Sequence, residues 1–214
     1  MRNTFYFQIE VTDEQVRYAN ALVAHSLEHH PVANIWDKHE DKKLKTSELR
    51  FTGSLGEVVF ADLYQQPRKT KAFGAIDGQD FGQDFQLVIG DWIQNIDTKA
   101  MQRKSGVFYK NYVLNIPASQ LKRPDSLTDQ YCCISFHQEG EKRIASVLGF
   151  INKYEILAAE IGVFYPKNTT RTRADESSFI FNEDTYEIDF QDITTPILND
   201  FIKHKNGFCI KKLK

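Results

Sequence analysis

Three observations predict an α+β fold, with strands gathered into a sheet and helices packed against it. Residues 84–99 alternate β-branched and aromatic residues on both sides of Gly90-Asp91. Residues 52–64 repeat apolar side chains at helical spacing. Residues 129–136 and 144–151 are short apolar, β-rich runs joined by a polar stretch. The first pattern reads as a β-hairpin with a two-residue turn, the second as an amphipathic helix, and the third as a second hairpin of buried strands.

Length and composition set the frame. A chain of 214 residues is long enough for one full core, so a single domain is expected. Hydrophobic residues at 41% and charged residues at 26% are those of an ordinary globular protein. No apolar run approaches the roughly 18 residues of a membrane span, and the N-terminus lacks the apolar core of a signal peptide. The expected setting is cytoplasmic. Three cysteines, two of them adjacent at Cys132 and Cys133, form neither a disulfide framework nor a metal-ligand spacing. A net charge of −2 excludes a uniformly basic surface, so any nucleic acid must be met by local patches.

In chain order, residues 5–11 alternate as a strand, and Thr12-Asp13-Glu14 opens a helix that runs to about His30, ahead of Pro31. His25, His29 and His30 sit near the end of this helix, where imidazolium is favoured by the helix dipole, and they lack the carboxylate of a metalloprotease motif. The mixed-charge run 37–45 reads as a solvated loop. In the helix at 52–64, Leu55, Val58, Val59 and Leu63 share one face. Ser54 and Glu57 match a capping box, which puts Glu57 in the first turn, either as a cap partner or as a carboxylate available to a site. Arg68, Lys69 and Lys71 form a basic cluster of the kind usual in solvated loops, followed by a Gly-rich segment from 73 to 83.

The hairpin is where the pattern becomes chemistry. With Gly90 and Asp91 as loop residues, Ile89 pairs with Trp92, and the same register sets Asp97 opposite Asp84, side chains on one face and about 5 Å apart. Lys99 falls on that face as well, while Phe85, Leu87, Ile96 and Thr98 point to the other. Two facing carboxylates repel unless a cation lies between them. A hard divalent ion takes oxygen ligands of this kind, and a nearby ammonium can position water or steady a phosphate. Asp77, Asp80 and Asp91 are rival acids, and register favours Asp84.

Further along, 109–117 reads as a strand closed by Pro117, 153–160 as a short helix, and 166–178 as a polar loop carrying Arg171 and Arg173. Residues 185–190 alternate as a strand. Pro196 begins a last helix that ends at Gly207, before a basic tail with Lys211, Lys212 and Lys214.

Gly56-Glu57 on a helix, Asp84 on a strand, and Asp97-Thr98-Lys99 on its hairpin partner together resemble the PD-(D/E)XK nuclease superfamily. The likeness extends through the later strand-like runs to cover about 49–151; no proline precedes Asp84, although one is common in that superfamily. The resemblance implies a restriction-endonuclease-like fold, an α/β (α+β) domain with a central mixed β-sheet flanked by helices. It makes 1–214 a single nuclease-like domain, with a core at about 49–151, an N-terminal strand and helix extension at 1–48, and a C-terminal extension at 152–214.

It also implies a nuclease that hydrolyses phosphodiester bonds in DNA. Mg²⁺ (or Mn²⁺) would be held by Asp84, Asp97 and the Thr98 carbonyl, with Glu57 completing the shell, and Lys99 would orient or activate water. Gln102, Arg103 and Lys104, just past the motif, are the nearest candidates for phosphate contacts, followed by Arg68, Lys69, Lys71, Arg171, Arg173 and the tail lysines. Members that cut both strands are often homodimers. The alternative function is a catalytically inactive nuclease-like DNA-binding or assembly module that keeps the fold for its surface.

Overall fold

The computed structural model describes residues 4–29, 43–70, 83–172 and 178–214. Strand β1 (Phe5–Glu10) leads into α1 (Asp13–His29), whose start is fixed by a reciprocal cap. The Gln15 N–H donates to Thr12 Oγ1 at 3.2 Å, and the Thr12 N–H donates to Gln15 Oε1 at 2.9 Å. Helix α2 spans Lys43–Leu63 and so begins well before Thr52. The expected capping box is therefore corrected: Ser54 and Glu57 lie in the helix interior, where backbone N–H groups already have partners within the helix. The lysines at the end of the mixed-charge run continue the helix, and residues 37–42 lie outside the described residues.

After α2 come β2 (Phe85–Ile89), β3 (Trp92–Gln102), β4 (Val113–Pro117), α3 (Ala118–Leu121), β5 (Gln130–Glu139) and β6 (Lys142–Asn152). The polar stretch expected to separate β5 from β6 shrinks to Gly140 and Glu141, because Glu139 already pairs with Lys142. Then follow α4 (Lys153–Leu157), β7 (Val163–Tyr165), β8 (Thr170–Thr172), β9 (Ser178–Ile180), β10 (Thr185–Asp189), α5 (Asp200–Lys203) and β11 (Cys209–Lys212). The long last helix expected from Pro196 is thus only α5, where the Asn199 side chain accepts from the Ile202 N–H at 2.8 Å. The basic tail is a strand, and the polar loop 166–178 carries the small β8–β9 ribbon.

Six strands make the main sheet in the order β11-β1-β6-β5-β3-β2, with β3 and β5 parallel and the other neighbours antiparallel. This is a mixed sheet in an α+β protein. Segments on either side of 49–151 contribute to this same layer, since β1 lies between β6 and β11.

Each face of the sheet has its own core. On one face, Phe7, Ile9, Ile96, Cys132, Ile134 and Val147 pack with Ala19 of α1 and with Leu55, Val59, Phe60 and Leu63 of α2. On the other, Tyr6, Tyr131, Cys133, Leu148 and Ile151 pack with Leu114 and Ile116 of β4, Leu121 of α3, Ile156 of α4 and Ile188 of β10. The expected mixed sheet flanked by helices is found, with the helices unequal in size on the two faces. The long helices α1 and α2 share one face, and a second sheet in the order β4-β10-β7, with two short helices, covers the other. Among the described residues no helix is long and apolar enough to cross a membrane.

α2 lies unusually close to β3. A Cβ on Gly56 would come within 2.6 Å of Ala100 Cβ and 3.4 Å of Thr98 Cγ2, so only glycine permits this approach. The close approach carries Glu57 to the sheet.

Candidate active site at the free edge of β3

The hairpin has the register read from its turn. Phe85 pairs with Ile96 and Ile89 with Trp92, around Gly90 at φ +63°. The tip is apolar yet exposed, with Val88 at 75% and Trp92 at 74% accessibility. At the other end β2 begins at Phe85, while β3 continues to Gln102, so among the described residues no strand pairs with β3 beyond Asp97 on the side of β2.

Asp84 fills the first position of that edge. Its N–H donates to the Ile96 carbonyl at 2.7 Å, and its carboxylate accepts the Thr98 N–H at 2.6 Å. A side chain thus supplies the acceptor that a longer β2 would have given from its backbone. A strand residue's N–H and C=O leave on the same side, so the Thr98 carbonyl also points to this edge.

The expectation that Asp84 and Asp97 share one face is corrected. Alternation puts Asp97 and Lys99 beside Tyr131 and Cys133, the residues they pair with in β5, on the second-core face. Ile96 and Ala100 belong to the α2 face, with Thr98 between them. Asp84 has left the ladder, so alternation no longer governs it, and its carboxylate turns to a cation shared with α2. Lys69 Nζ donates to Asp84 Oδ1 at 2.7 Å and lies 3.4 Å from Glu57 Oε2.

Lys69 was expected in a solvated loop. The loop is held by its neighbour Arg68, whose guanidinium grips both oxygens of Glu14 at 2.5 and 2.7 Å and both oxygens of Asp62 at 2.7 Å. The Tyr18 hydroxyl donates to the Lys69 carbonyl at 2.9 Å. Both basic residues therefore serve as internal counter-ions, which removes them from the pool of phosphate contacts. Lys71, Asp77, Asp80 and Arg173 lie outside the described residues.

Across Thr98, Lys99 Nζ donates to Asp97 Oδ2 at 2.7 Å and sits 5.2 Å from the centre of the Tyr131 ring. Burial pushes the Cys133 thiol up to about 12, with Lys99 opposing the shift and Asp97 adding to it. Burial likewise raises the Tyr131 phenol, with Asp97 contributing. Neither group ionises near neutral pH.

A cleft of about 990 Å³ runs along the free edge, between the first half of α2 and the second sheet. Lys99 and Arg103 line it from β3 and the segment after it, Arg50 from α2, and Arg171 and Phe179 from the β8–β9 ribbon. Of the three expected phosphate contacts, Gln102 and Lys104 are exposed, whereas Arg103 is held in place. Its guanidinium lies 5.1–5.6 Å from the ring centres of Phe108, Tyr112 and Phe190, and its Nε donates to Met101 Sδ at 3.3 Å. Glu187, which sequence reasoning missed, lines the same cleft, is 4% accessible and accepts from Arg171 Nε at 2.9 Å.

Among the described residues no group of three His, Cys, Asp or Glu converges as a ready metal cage. Glu57 and Asp84 nevertheless hold an ammonium between them, so the position already favours a cation, and the Thr98 carbonyl opens on the same edge. Replacing Lys69 by Met removes that resident charge. We expect Lys69→Met to lower the stability of the metal-free protein by about 1–3 kcal/mol, since two partly buried carboxylates lose their partner. Mg²⁺ should then raise its melting temperature more than that of wild type, as read by differential scanning fluorimetry.

No family model, curated protein or solved structure matches the chain.

Proposed function

We propose that the protein is a Mg²⁺- or Mn²⁺-dependent nuclease acting on phosphodiester bonds in DNA, a reading that rests on its resemblance to the PD-(D/E)XK superfamily. One observation carries it. The group Glu57–Lys69–Asp84 and the pair Asp97–Lys99 flank Thr98 at a free strand edge, and that edge opens on a cleft lined by Arg50, Lys99, Arg103 and Arg171.

In this reading Asp84, Glu57 and the Thr98 carbonyl would hold the ion in place of the Lys69 ammonium, with Asp97 joining from across Thr98. A divalent ion held there would supply Lewis-acid chemistry toward a phosphate and a water. Asp97 also anchors Lys99, fixing the ammonium on the cleft wall. Lys99 orients the attacking water and offsets the charge that gathers on the phosphoryl oxygens as they pass through the transition state. Arg50 and Arg171 offer positive charge to the flanking phosphates.

A second reading has an observation of its own. Each carboxylate of the site already has a lysine beside it, the arrangement expected of a nuclease-like module kept for binding or assembly. A plasmid-nicking assay with Mg²⁺ separates the two. Wild type should nick, and Asp97→Ala should be slower by about a hundred- to a thousandfold, because it loses both an ion ligand and the anchor of Lys99. Equal nicking by both proteins would identify a contaminant and defeat the assignment.

A further inference from the structure

The cleft restricts what can reach Lys99. Its volume of about 990 Å³ lies at the upper end of the roughly 300–1,000 Å³ of pockets that enclose small organic ligands, which is room for a few nucleotides of one strand. A duplex, whose major groove alone is about 12 Å wide, can only lie across the mouth. Lys99, however, stands in the wall.

The lining matches an unpaired strand in three ways. Four cations, Arg50, Lys99, Arg103 and Arg171, face one carboxylate, Glu187, in a chain whose net charge is −2. The flat groups are paired, with the Arg103 guanidinium 5.1 Å from the Tyr112 ring centre and Phe179 on the ribbon also lining the cleft, so a base has stacking surfaces to meet. Two buried oxygens of the lining, Thr98 Oγ1 and Gln120 Oε1, have no hydrogen-bond partner among the described residues. Gln120 Oε1 is an acceptor only, and the exocyclic amino group of an unpaired base is a donor of the kind it lacks.

We propose that the cleft takes single-stranded nucleic acid, so that the substrate of the site is an unpaired strand, end or flap and not an intact duplex. This inference rests on the nuclease reading for its chemistry but not for its binding. The binding arm uses fluorescein-labelled single-stranded DNA, the RNA of the same sequence and the matching DNA duplex, measured by anisotropy without divalent metal. The single strand should bind at least about tenfold more tightly than the duplex. Phe179→Ala should weaken single-strand binding roughly five- to a hundredfold, the range for loss of one base–aromatic stack. Arg50→Gln, at the opposite wall, should weaken it and flatten its salt dependence, and thermal melts of both variants establish that they fold.

Duplex bound as tightly as single strand, or single-strand affinity unchanged in both folded variants, would overturn the proposal. RNA preferred over DNA would support the single-strand occupant and overturn DNA as the substrate. The cleavage arm adds Mg²⁺ or Mn²⁺ to the same probes and to a duplex with a single-stranded flap. Preferential cutting of the strand and flap supports both readings. Preferential binding with no cutting under either metal overturns the nuclease reading and leaves the single-strand site supported.

Discussion

Lys99→Ala should reduce Mg²⁺-dependent cleavage by about a hundred- to a thousandfold while leaving the fold in place. The magnitude is that of removing one preorganised charged donor from a site where charge develops. The fold should survive because the ammonium pairs with Asp97 and its side chain is 27% accessible. A partly exposed pair of this kind contributes at most about 1 kcal/mol. Mg²⁺ affinity should hold or rise, since removing the positive charge beside Asp97 helps a cation bind. The decisive comparison is cleavage rate against melting temperature and the Mg²⁺-induced melting shift. A variant that cuts like wild type would remove Lys99 from the chemistry. One that loses activity only because it unfolds would make the lysine structural.

The second large effect is on stability and has opposite signs at two glycines of the same helix. Gly56→Val should destabilise by about 3 kcal/mol or more, because even its Cβ would stand 2.6 Å from Ala100 Cβ, an atom fixed to the backbone of β3. α2 would have to move away from the sheet, taking Glu57 with it. For a chain of this size that is a fall in melting temperature of roughly 6–12 °C. Gly53 has nothing within 4 Å of its notional Cβ. Gly53→Ala should therefore stabilise by about 0.5–1 kcal/mol, through the smaller backbone freedom of alanine in the unfolded chain. Thermal melts of the two variants read both signs at once. If Gly56→Val melted with wild type, the close approach of α2 to β3 would be refuted.

What could be read in advance was whatever local chemistry decides. Gly90-Asp91 sets the turn, and the turn sets the register down to Phe85↔Ile96. Thr12 with Gln15 sets the start of α1. The runs around Cys132 and Val147 are apolar enough to declare buried strands. What could not be read depends on partners far away in the chain. Asp84 turns to the edge because the Thr98 N–H needs an acceptor there and Lys69 brings a cation, and neither fact belongs to the alternation of β2. Lys69 itself is placed by Arg68, which depends on Glu14 in a different helix. The lysines that open α2 looked like loop because lysine suits solvent and helix equally well. Glu187 gave no signal, since a single acid in an alternating strand reads as its solvent side until another layer covers it.

The position of β1 also has a consequence for how the chain assembles. Phe7 pairs with Val147 on one side and with Ile210 on the other. β1 is therefore secured only once β6 and β11, far along the chain, have formed, and until then the outer edge of β6 stands open. Contacts of such sequence separation reward the chain only after a long loop has closed, which slows folding and lengthens the time in which that edge is a template for other chains. In the finished sheet β1 is an inner strand, held on both sides by segments distant from it in the chain.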